Sequence, residues 1–213
     1  MSEPAAHSSI ASPAYVLGSD LLGDALAIAA DAHAGQQRGN GSPYLGHPLR
    51  VCDLLAEAGA GERMLAAALL HDAVEDSELT VGSVVERFGV EVGELVAALT
   101  EDPGIDDWVA RKDALRAQVA HAGARAAAIF AADKLANLRE MRDLYAEHGE
   151  AAIDLHKAPT LDLRIDAWEK DIEMVARIAP RLALLPVLRE ELSAFEAQRV
   201  KGIMTRQEAG APG

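Results

Sequence analysis

The hydrophobic residues of this chain recur at three- to four-residue intervals, a spacing that places them on one face of an α-helix. The first such segment begins at Asp20, and its apolar face contains Leu21, Leu22, Ala25, Leu26, Ile28 and Ala29. Glycines, prolines and a threonine N-cap separate the segments. Helices are therefore predicted at about 20–33, 47–58, 62–75, 81–88, 90–100, 108–121, 124–148, 160–178 and 182–200.

The pattern contains no strand-like alternation, so it predicts an all-α fold, a compact bundle of roughly eight to ten helices. A length of 213 residues allows one sizeable core. We expect one domain over 20–201, with the helices of 160–200 packed on the rest. Residues 1–19 are rich in Ser, Pro and Ala and are predicted to form a flexible arm, and 202–213 to form a frayed tail.

Charge and composition restrict the partners that the protein can have. A formal charge of −14 argues against nucleic acid or an anionic membrane surface as the main partner. No apolar stretch reaches the ~18 residues of a membrane helix, and no basic region followed by an apolar run begins the chain. Together with a single cysteine, Cys52, these features favour a cytoplasmic location. The oligomeric state is left open.

The segment 66–76 begins as a plain apolar helix and ends in four ionisable side chains, those of His71, Asp72, Glu75 and Asp76. An imidazole beside a carboxylate is a natural ligand pair for a divalent metal. Glu75 and Asp76 follow one turn later, where a carboxylate that transfers a proton would be needed. The alternative is a solvated helix end whose acidic residues happen to cluster.

A second group of polar residues interrupts the apolar run 126–132 of a later helix. Asp133 shares a helical face with Asn137 and Glu140. Burying a lone carboxylate is costly, so Asp133 is expected either to pair with a lysine or arginine or to bind a metal. Together with His71, Asp72 and His47, which precedes Pro48 at a helix start, it could hold one divalent ion with open positions.

The order His47, His71-Asp72, Asp133 resembles the signature of the HD-domain phosphohydrolases. The neighbouring residues are similar to the alarmone hydrolase branch, which includes small single-domain hydrolases and the hydrolase domain of Rel/Spo proteins. The matching strings are AHAGQQR at 32–38, PYLGHP at 43–48, AALLHDAVEDS at 67–77 and ADKLANLR at 132–139. The resemblance covers about 21–142.

This resemblance implies an HD-domain helical bundle around a single metal ion, usually manganese. The implied reaction removes the 3′-pyrophosphate from guanosine 3′,5′-bis(diphosphate) (ppGpp) or guanosine pentaphosphate, by attack of a water held at the metal on the 3′-linked phosphoryl group. By position, the implied metal ligands are His47, His71, Asp72 and Asp133. The implied catalytic residues are Glu75 and Asp76, and the implied substrate contacts are Arg38, Tyr44 and Asn137.

Two positions depart from the pattern of this branch. Gly39 and Phe130 stand where its members commonly have lysines, so two cations are missing from a site for a polyphosphate. Arg111, Lys112, Lys134 and Arg139 are the cations that could compensate. The departures favour, as an alternative, an HD hydrolase acting on another nucleotide or phosphorylated metabolite. A binding module without catalysis is a third possibility, which the intact ligand set and the Glu75-Asp76 pair disfavour.

Overall fold

The computed structural model describes residues 13–155 and 158–208. Within these residues the chain is helical and contains no strand, which confirms the all-α prediction. The helices are α1 Asp20–Ala32, α2 Gly46–Glu57, α3 Glu62–Leu70, α4 Ala73–Asp76, α5 Val81–Phe88, α6 Val90–Leu99, α7 Trp108–Ala122, α8 Ala124–His148, the 3₁₀ helix Gly149–Leu155, α9 Leu161–Ile178 and α10 Leu184–Glu208.

Helix α3 occupies the centre of the bundle. It contacts α1, α2, α6 and α8, and all six residues from Leu65 to Leu70 are buried. Three of them are alanines, whose small side chains let neighbouring helices approach. Helix α8 is the other central element, and its run from Ala126 to Asn137 is buried throughout. The chemistry-bearing residues at the end of α3 and in the middle of α8 are therefore brought to the same part of the core.

The predicted helix 62–75 is interrupted at His71 and Asp72, so that α3 ends at Leu70 and α4 begins at Ala73. At this break, His71 Nδ1 lies 2.7 Å from the carbonyl oxygen of Ala68 and donates to it. In a regular helix the same oxygen would accept from the backbone N–H of Asp72. The break turns the side chains of His71 and Asp72 towards a common point.

Residues 13–19 and 202–208, which the structure describes, are ordered parts of the two segments predicted to be flexible. Val16, within the expected flexible arm, is 6% exposed, and Ser19 caps α1 by accepting from the backbone N–H of Leu22. At the other end α10 continues to Glu208, so part of the expected frayed tail is helical. Residues 1–12 and 209–213 of these two segments lie outside the described residues.

Helices α9 and α10 pack on α8 and complete the core. Trp168 of α9 and Phe195 of α10 are fully buried, and their rings meet edge-to-face with centroids 5.9 Å apart. The side chain of Thr160 caps α9 by accepting from the N–H of Leu163. Among the described residues, no helix combines the length and the hydrophobicity that crossing a membrane requires.

Candidate metal centre and active-site pocket

Three segments bring two imidazoles and two carboxylates together. His47 lies in the first turn of α2, His71 and Asp72 between α3 and α4, and Asp133 in the middle of α8. His47 Nε2 is 3.0 Å from Asp133 Oδ1 and 3.6 Å from Asp72 Oδ2. His71 Nε2 is 3.2 Å from Asp72 Oδ1 and 3.8 Å from Asp133 Oδ1. The four residues that the sequence singled out as metal ligands thus form one cluster.

The donors of this cluster fit a divalent metal ion. The ligand atoms of His47, His71 and Asp133 all lie within 4.8 Å of one another. Because His71 Nδ1 donates to Ala68 O, its Nε2 is the nitrogen left for a ligand. That Nε2 is buried and has no hydrogen-bond partner among the described residues. Imidazole nitrogens and carboxylate oxygens suit a first-row divalent ion, and such an ion would satisfy this buried atom.

The charges in the cluster shift the pKa values of its members. Burial lowers the pKa of His47. Burial also acts to lower the pKa of His71, but the carboxylates of Asp72 and Asp133 outweigh it and raise the value to about 9. Burial would raise the pKa of Asp133, whereas Lys134 and the two imidazoles hold it well below its usual range. Both carboxylates of the cluster therefore stay ionised, as metal ligands must.

A second layer of side chains orients the carboxylates. The hydroxyl of Tyr44 donates to Asp72 Oδ2 at 2.8 Å, and the Tyr44 ring stacks on buried His33 with centroids 4.6 Å apart. On the other side, Lys134 Nζ donates to Asp133 Oδ2 at 2.7 Å, and the Asn137 amide donates to Asp133 Oδ1. Tyr44 and Asn137, expected to contact substrate, thus also position the ligands.

The cluster opens into a pocket of about 400 Å³. Six of its lining residues, here called the loop wall, are linked by mutual contacts: Arg38, Gly39, Tyr44, Asn137, Glu140 and Leu155. A second group, here called the cationic wall, consists of Glu101, Arg111, Lys112, Lys134 and Arg164. Five of the chain's 20 lysines and arginines line this pocket. The lining also contains five carboxylates, those of Asp72, Glu75, Glu101, Asp133 and Glu140. The pocket is therefore balanced in charge, within a protein that is strongly acidic overall.

Glu75 lines the pocket beside the metal ligands. Its Oε1 accepts a hydrogen bond from the backbone N–H of Glu101. Although the residue as a whole is exposed, partial burial of its carboxyl raises the pKa of Glu75 to about 7. Asp76 is not among the pocket-lining residues; its backbone carbonyl accepts from Gln36 Nε2 at 3.0 Å.

Arg38 reaches the pocket, but its guanidinium is paired. Nε and one terminal nitrogen donate to the buried carboxylate of Glu140, and the same terminal nitrogen donates to Asn137 Oδ1 at 2.7 Å. The guanidinium also lies 5.2 Å from the ring centroid of Tyr44. Arg38, Asn137 and Asp133 therefore form a continuous hydrogen-bonded chain that ends at the metal cluster. Contact between Arg38 and a nucleotide stays a prediction.

Local packing accounts for both departures from the alarmone hydrolase pattern. A Cβ atom on Gly39 would lie 2.4 Å from the carbonyl oxygen of Leu155 and 2.9 Å from its Cβ, so the 3₁₀ helix covers the place of a longer side chain. Phe130 is buried, and Lys134 Nζ lies 4.4 Å from its ring centroid. Of the cations that could compensate, Arg111, Lys112 and Lys134 line the pocket, whereas Arg139 donates to Glu191 outside it.

Sequence reasoning missed Glu101, Leu155 and Arg164 as pocket residues. No motif singles out Glu101, and no pattern predicts the 3₁₀ helix that ends at Leu155. Arg164 had a usable signal, because it shares the buried face of α9 with Leu161, Trp168 and Asp171 at a spacing of three, four and seven residues. A charged residue at such a position is expected to meet a partner in the interior.

Comparisons with known proteins agree with this site. A family model described as an HD domain matches residues 25–158. A probable GTP pyrophosphokinase of Mycobacterium leprae is 40% identical over 126 residues, which are 58% of this chain and 16% of that protein. A probable guanosine-3′,5′-bis(diphosphate) 3′-pyrophosphohydrolase of Synechocystis is 41% identical over 81 residues, 38% of this chain and 11% of that protein.

The matched part of the chain therefore covers less than a fifth of the length of each of these two relatives. A solved structure is similar over nearly the full length of both chains. It is that of a metazoan ortholog of SpoT that hydrolyses ppGpp, with a TM-score of 0.65, 27% identity, and coverage of 89% of this chain and 98% of that one. Because the family model matches residues 25–158, more than half of the sequence, the chain belongs to the HD domain family.

Proposed function

We propose that this protein is a divalent-metal-dependent phosphohydrolase that removes the 3′-pyrophosphate of guanosine 3′,5′-bis(diphosphate). The observation that carries the proposal is the cluster of His47, His71, Asp72 and Asp133, which opens into a pocket that is also lined by lysines and arginines. The similarity to a ppGpp-hydrolysing protein over 89% of this chain supports the same substrate.

In the proposed reaction, His47, His71, Asp72 and Asp133 hold the ion, for which we propose Mn²⁺. When bound, a divalent ion would polarise a phosphoryl oxygen and lower the pKa of water, so that both the phosphoryl group and the attacking water react more readily at neutral pH. Tyr44 and Asn137 keep the two carboxylates oriented through the hydrogen bonds described above.

Glu75 is the proposed acceptor of the proton that the attacking water loses. Its carboxylate lies in the pocket wall, and its raised pKa of about 7 is suited to a general base at neutral pH. The backbone N–H of Glu101 fixes one carboxylate oxygen, leaving the other for water. Asp76 is proposed as a supporting carboxylate, since it follows Glu75 directly.

The substrate is proposed to lie between the two walls of the pocket, with its phosphates towards the cationic wall. Arg38 is proposed to meet the nucleotide on the loop wall, where it already stacks near Tyr44. One observation favours the alternative of a different phosphorylated nucleotide. The loop wall offers a glycine covered by Leu155 and an arginine neutralised by Glu140, and therefore little free positive charge.

The test is pyrophosphate release from guanosine 3′,5′-bis(diphosphate) by metal-stripped protein, with and without added Mn²⁺. The proposal expects manganese-dependent release that Asp72→Ala abolishes. Asp143→Ala, which removes an exposed carboxylate of α8 outside this pocket, is the matched control and should keep wild-type rates. Mn²⁺ binding without release would direct the search to other phosphate esters, and absence of both would exclude the proposed catalysis.

A further inference from the structure

Arg164 is a buried cation in the lining of the pocket. It lies on α9, beyond residues 25–158 that match the HD family. Only 5% of the residue is exposed, yet it lines the pocket together with Lys112 and Lys134. A helix that the family match does not include therefore contributes a positive charge to the candidate active site.

Arg164 differs from the other four cations of the pocket in its partners. Arg38 is paired with Glu140, Arg111 and Lys112 share Glu101, and Lys134 is paired with Asp133. Among residues 13–155 and 158–205, whose side chains are described, no carboxylate is within ion-pair distance of Arg164, and its Nε has no hydrogen-bond partner. The nearby Asp171 is bonded instead to Arg116 at 2.8 Å.

A guanidinium buried in this way is normally paired, because the loss of hydration is not otherwise compensated. The face of Trp168, 4.6 Å from the guanidinium carbon, compensates in part through a cation–π contact. Burial lowers the pKa of Arg164, but arginine remains protonated in proteins. The arrangement therefore leaves a charged donor that faces a pocket and lacks an anion.

We propose that Arg164 is a substrate-binding residue that donates hydrogen bonds to phosphate oxygens of the substrate's diphosphate group. The planar fork of a guanidinium matches two oxygens of one phosphate. Arg164 lines the same pocket as Asp133 and Lys134, so a diphosphate bound there would meet both the ion that the cluster would hold and the guanidinium within one cavity. The identity of the substrate in this inference rests on the proposed function. Binding of a diphosphate anion by Arg164 does not depend on it.

The first test uses inorganic pyrophosphate as the probe, with Mn²⁺-loaded protein and calorimetric titration. Arg164→Met keeps an unbranched apolar stem but removes the guanidinium and its charge. We expect the Kd for pyrophosphate to rise by about ten- to a hundredfold, the range for a hydrogen bond to a charged group. Arg164→Lys keeps the charge but not the planar guanidinium, so its Kd should lie between those of wild type and Arg164→Met.

The matched control is Arg177→Met, which removes the same charge from an exposed position on the same helix and should leave the Kd unchanged. Melting temperatures show whether each variant is folded. An unchanged Kd in folded Arg164→Met would overturn the inference, as would an equal loss in Arg177→Met. If Arg164→Met does not fold, an unchanged Kd in Arg164→Lys serves as the contradicting result.

The second test is turnover of guanosine 3′,5′-bis(diphosphate). A binding role predicts a KM raised by about tenfold or more in Arg164→Met, with a smaller change in kcat and unchanged Mn²⁺ affinity. Loss of Mn²⁺ affinity instead would assign Arg164 to the structure of the metal site and overturn the inference. If wild-type protein binds pyrophosphate through Arg164 but does not hydrolyse this nucleotide, the proposed substrate fails while the inference stands.

Discussion

At the scale of single residues, Glu75 shows how position sets chemistry. Its sequence neighbour Asp76 carries the same functional group, but only Glu75 lines the pocket, and burial raises its pKa to about 7. The adjacent carboxylates of Asp72 and Asp133 have their pKa values lowered. One small region therefore holds carboxylates suited to binding a cation beside one suited to accepting a proton.

The pKa of Glu75 predicts the pH dependence of turnover. Only the ionised carboxylate accepts a proton, so a base with a pKa of about 7 should make kcat fall by up to about tenfold per pH unit below that value. Profiles of kcat at saturating Mn²⁺ check this. Glu75→Gln should bind Mn²⁺ normally, lose about 100-fold or more in kcat, and lack the acidic limb. A normal rate in Glu75→Gln would show that another group takes the proton.

Tyr44 is predicted to act on metal affinity through Asp72. Tyr44→Phe removes only the hydroxyl that donates to Asp72 Oδ2, so the Kd for Mn²⁺ should rise by about 10–100-fold, as for other residues that orient metal ligands. Titration with Mn²⁺ measures this. Tyr15→Phe is the control, because the Tyr15 hydroxyl lies near the Leu49 carbonyl and not near a ligand. Equal affinities in wild type and Tyr44→Phe would assign Tyr44 to substrate binding alone.

At the scale of elements, the loop between α1 and α2, which contains Gly39, contacts the 3₁₀ helix Gly149–Leu155. Residues of both segments line the pocket. The loop can approach because Gly39 has no side chain, and the carbonyl of Leu155 occupies the space that a Cβ would need. The 3₁₀ helix is held from the other side, where the carboxylate of Glu150 accepts from Arg199 of α10 at 3.0 Å. The final helix thus helps to hold this segment at the mouth of the pocket.

Gly39→Ala is predicted to displace the 3₁₀ helix. A methyl group 2.4 Å from Leu155 O cannot be accommodated without movement, and such overpacking costs about 1–3 kcal/mol. We expect faster amide hydrogen exchange in residues 149–155 and a lower Tm. Gly23→Ala, in α1 with no atom within 4 Å of the added methyl, is the control and should not lower the Tm. Unchanged exchange in 149–155 would show that the contact does not restrain the segment.

Helix boundaries illustrate which local features a sequence reveals. The predicted helix starts at 81 and 160 agree with α5 and α9 to within one residue. Each of these helices is capped by a threonine, Thr80 or Thr160, through hydrogen bonds within one turn. The break between α3 and α4 was missed, since it depends on the rotamer of His71 and on its bond to Ala68 O. No periodicity carries that information.

At the scale of the whole molecule, the metal cluster joins elements that are far apart in sequence. Its ligands come from the start of α2, the α3–α4 break and the middle of α8, and α2 and α3 also pack directly on each other. A bound ion is therefore expected to stabilise the fold as a unit, because the unfolded chain lacks the preformed site.

Mn²⁺ is predicted to raise the melting temperature of metal-stripped protein. At a free concentration of one hundred times the Kd, linkage gives about 2.7 kcal/mol, or a rise in Tm of about 5–10 °C for a chain of this size. Thermal unfolding with and without the ion measures it. Asp133→Asn, which keeps the shape of the side chain, should lose this increase. An increase that persists in Asp133→Asn would place the bound ion elsewhere.

Charge distribution is also a property of the whole molecule. The net charge of −14 required that an anionic substrate meet a local cationic patch, and the fold supplies one by bringing α7, α8 and α9 to the same wall. The sequence named Arg111, Lys112 and Lys134 as the cations that could serve, but could not choose between them and Arg139, because they are separated along the chain. The packing of the helices places Arg111, Lys112 and Lys134 in the pocket lining and leaves Arg139 outside it.

The sequence by itself determined the helical class, most helix positions and the four residues that the fold brings into one His/Asp cluster. Helical periodicity and capping are local, and the ligand residues stand in a specific order with their neighbours. The tertiary structure alone decided how the pocket is lined: that Glu101 and Leu155 belong to it, that Arg38 is neutralised by Glu140, and that Arg164 is buried without an ion pair. Each of these depends on contacts between distant segments, whose distances only the packed helices define.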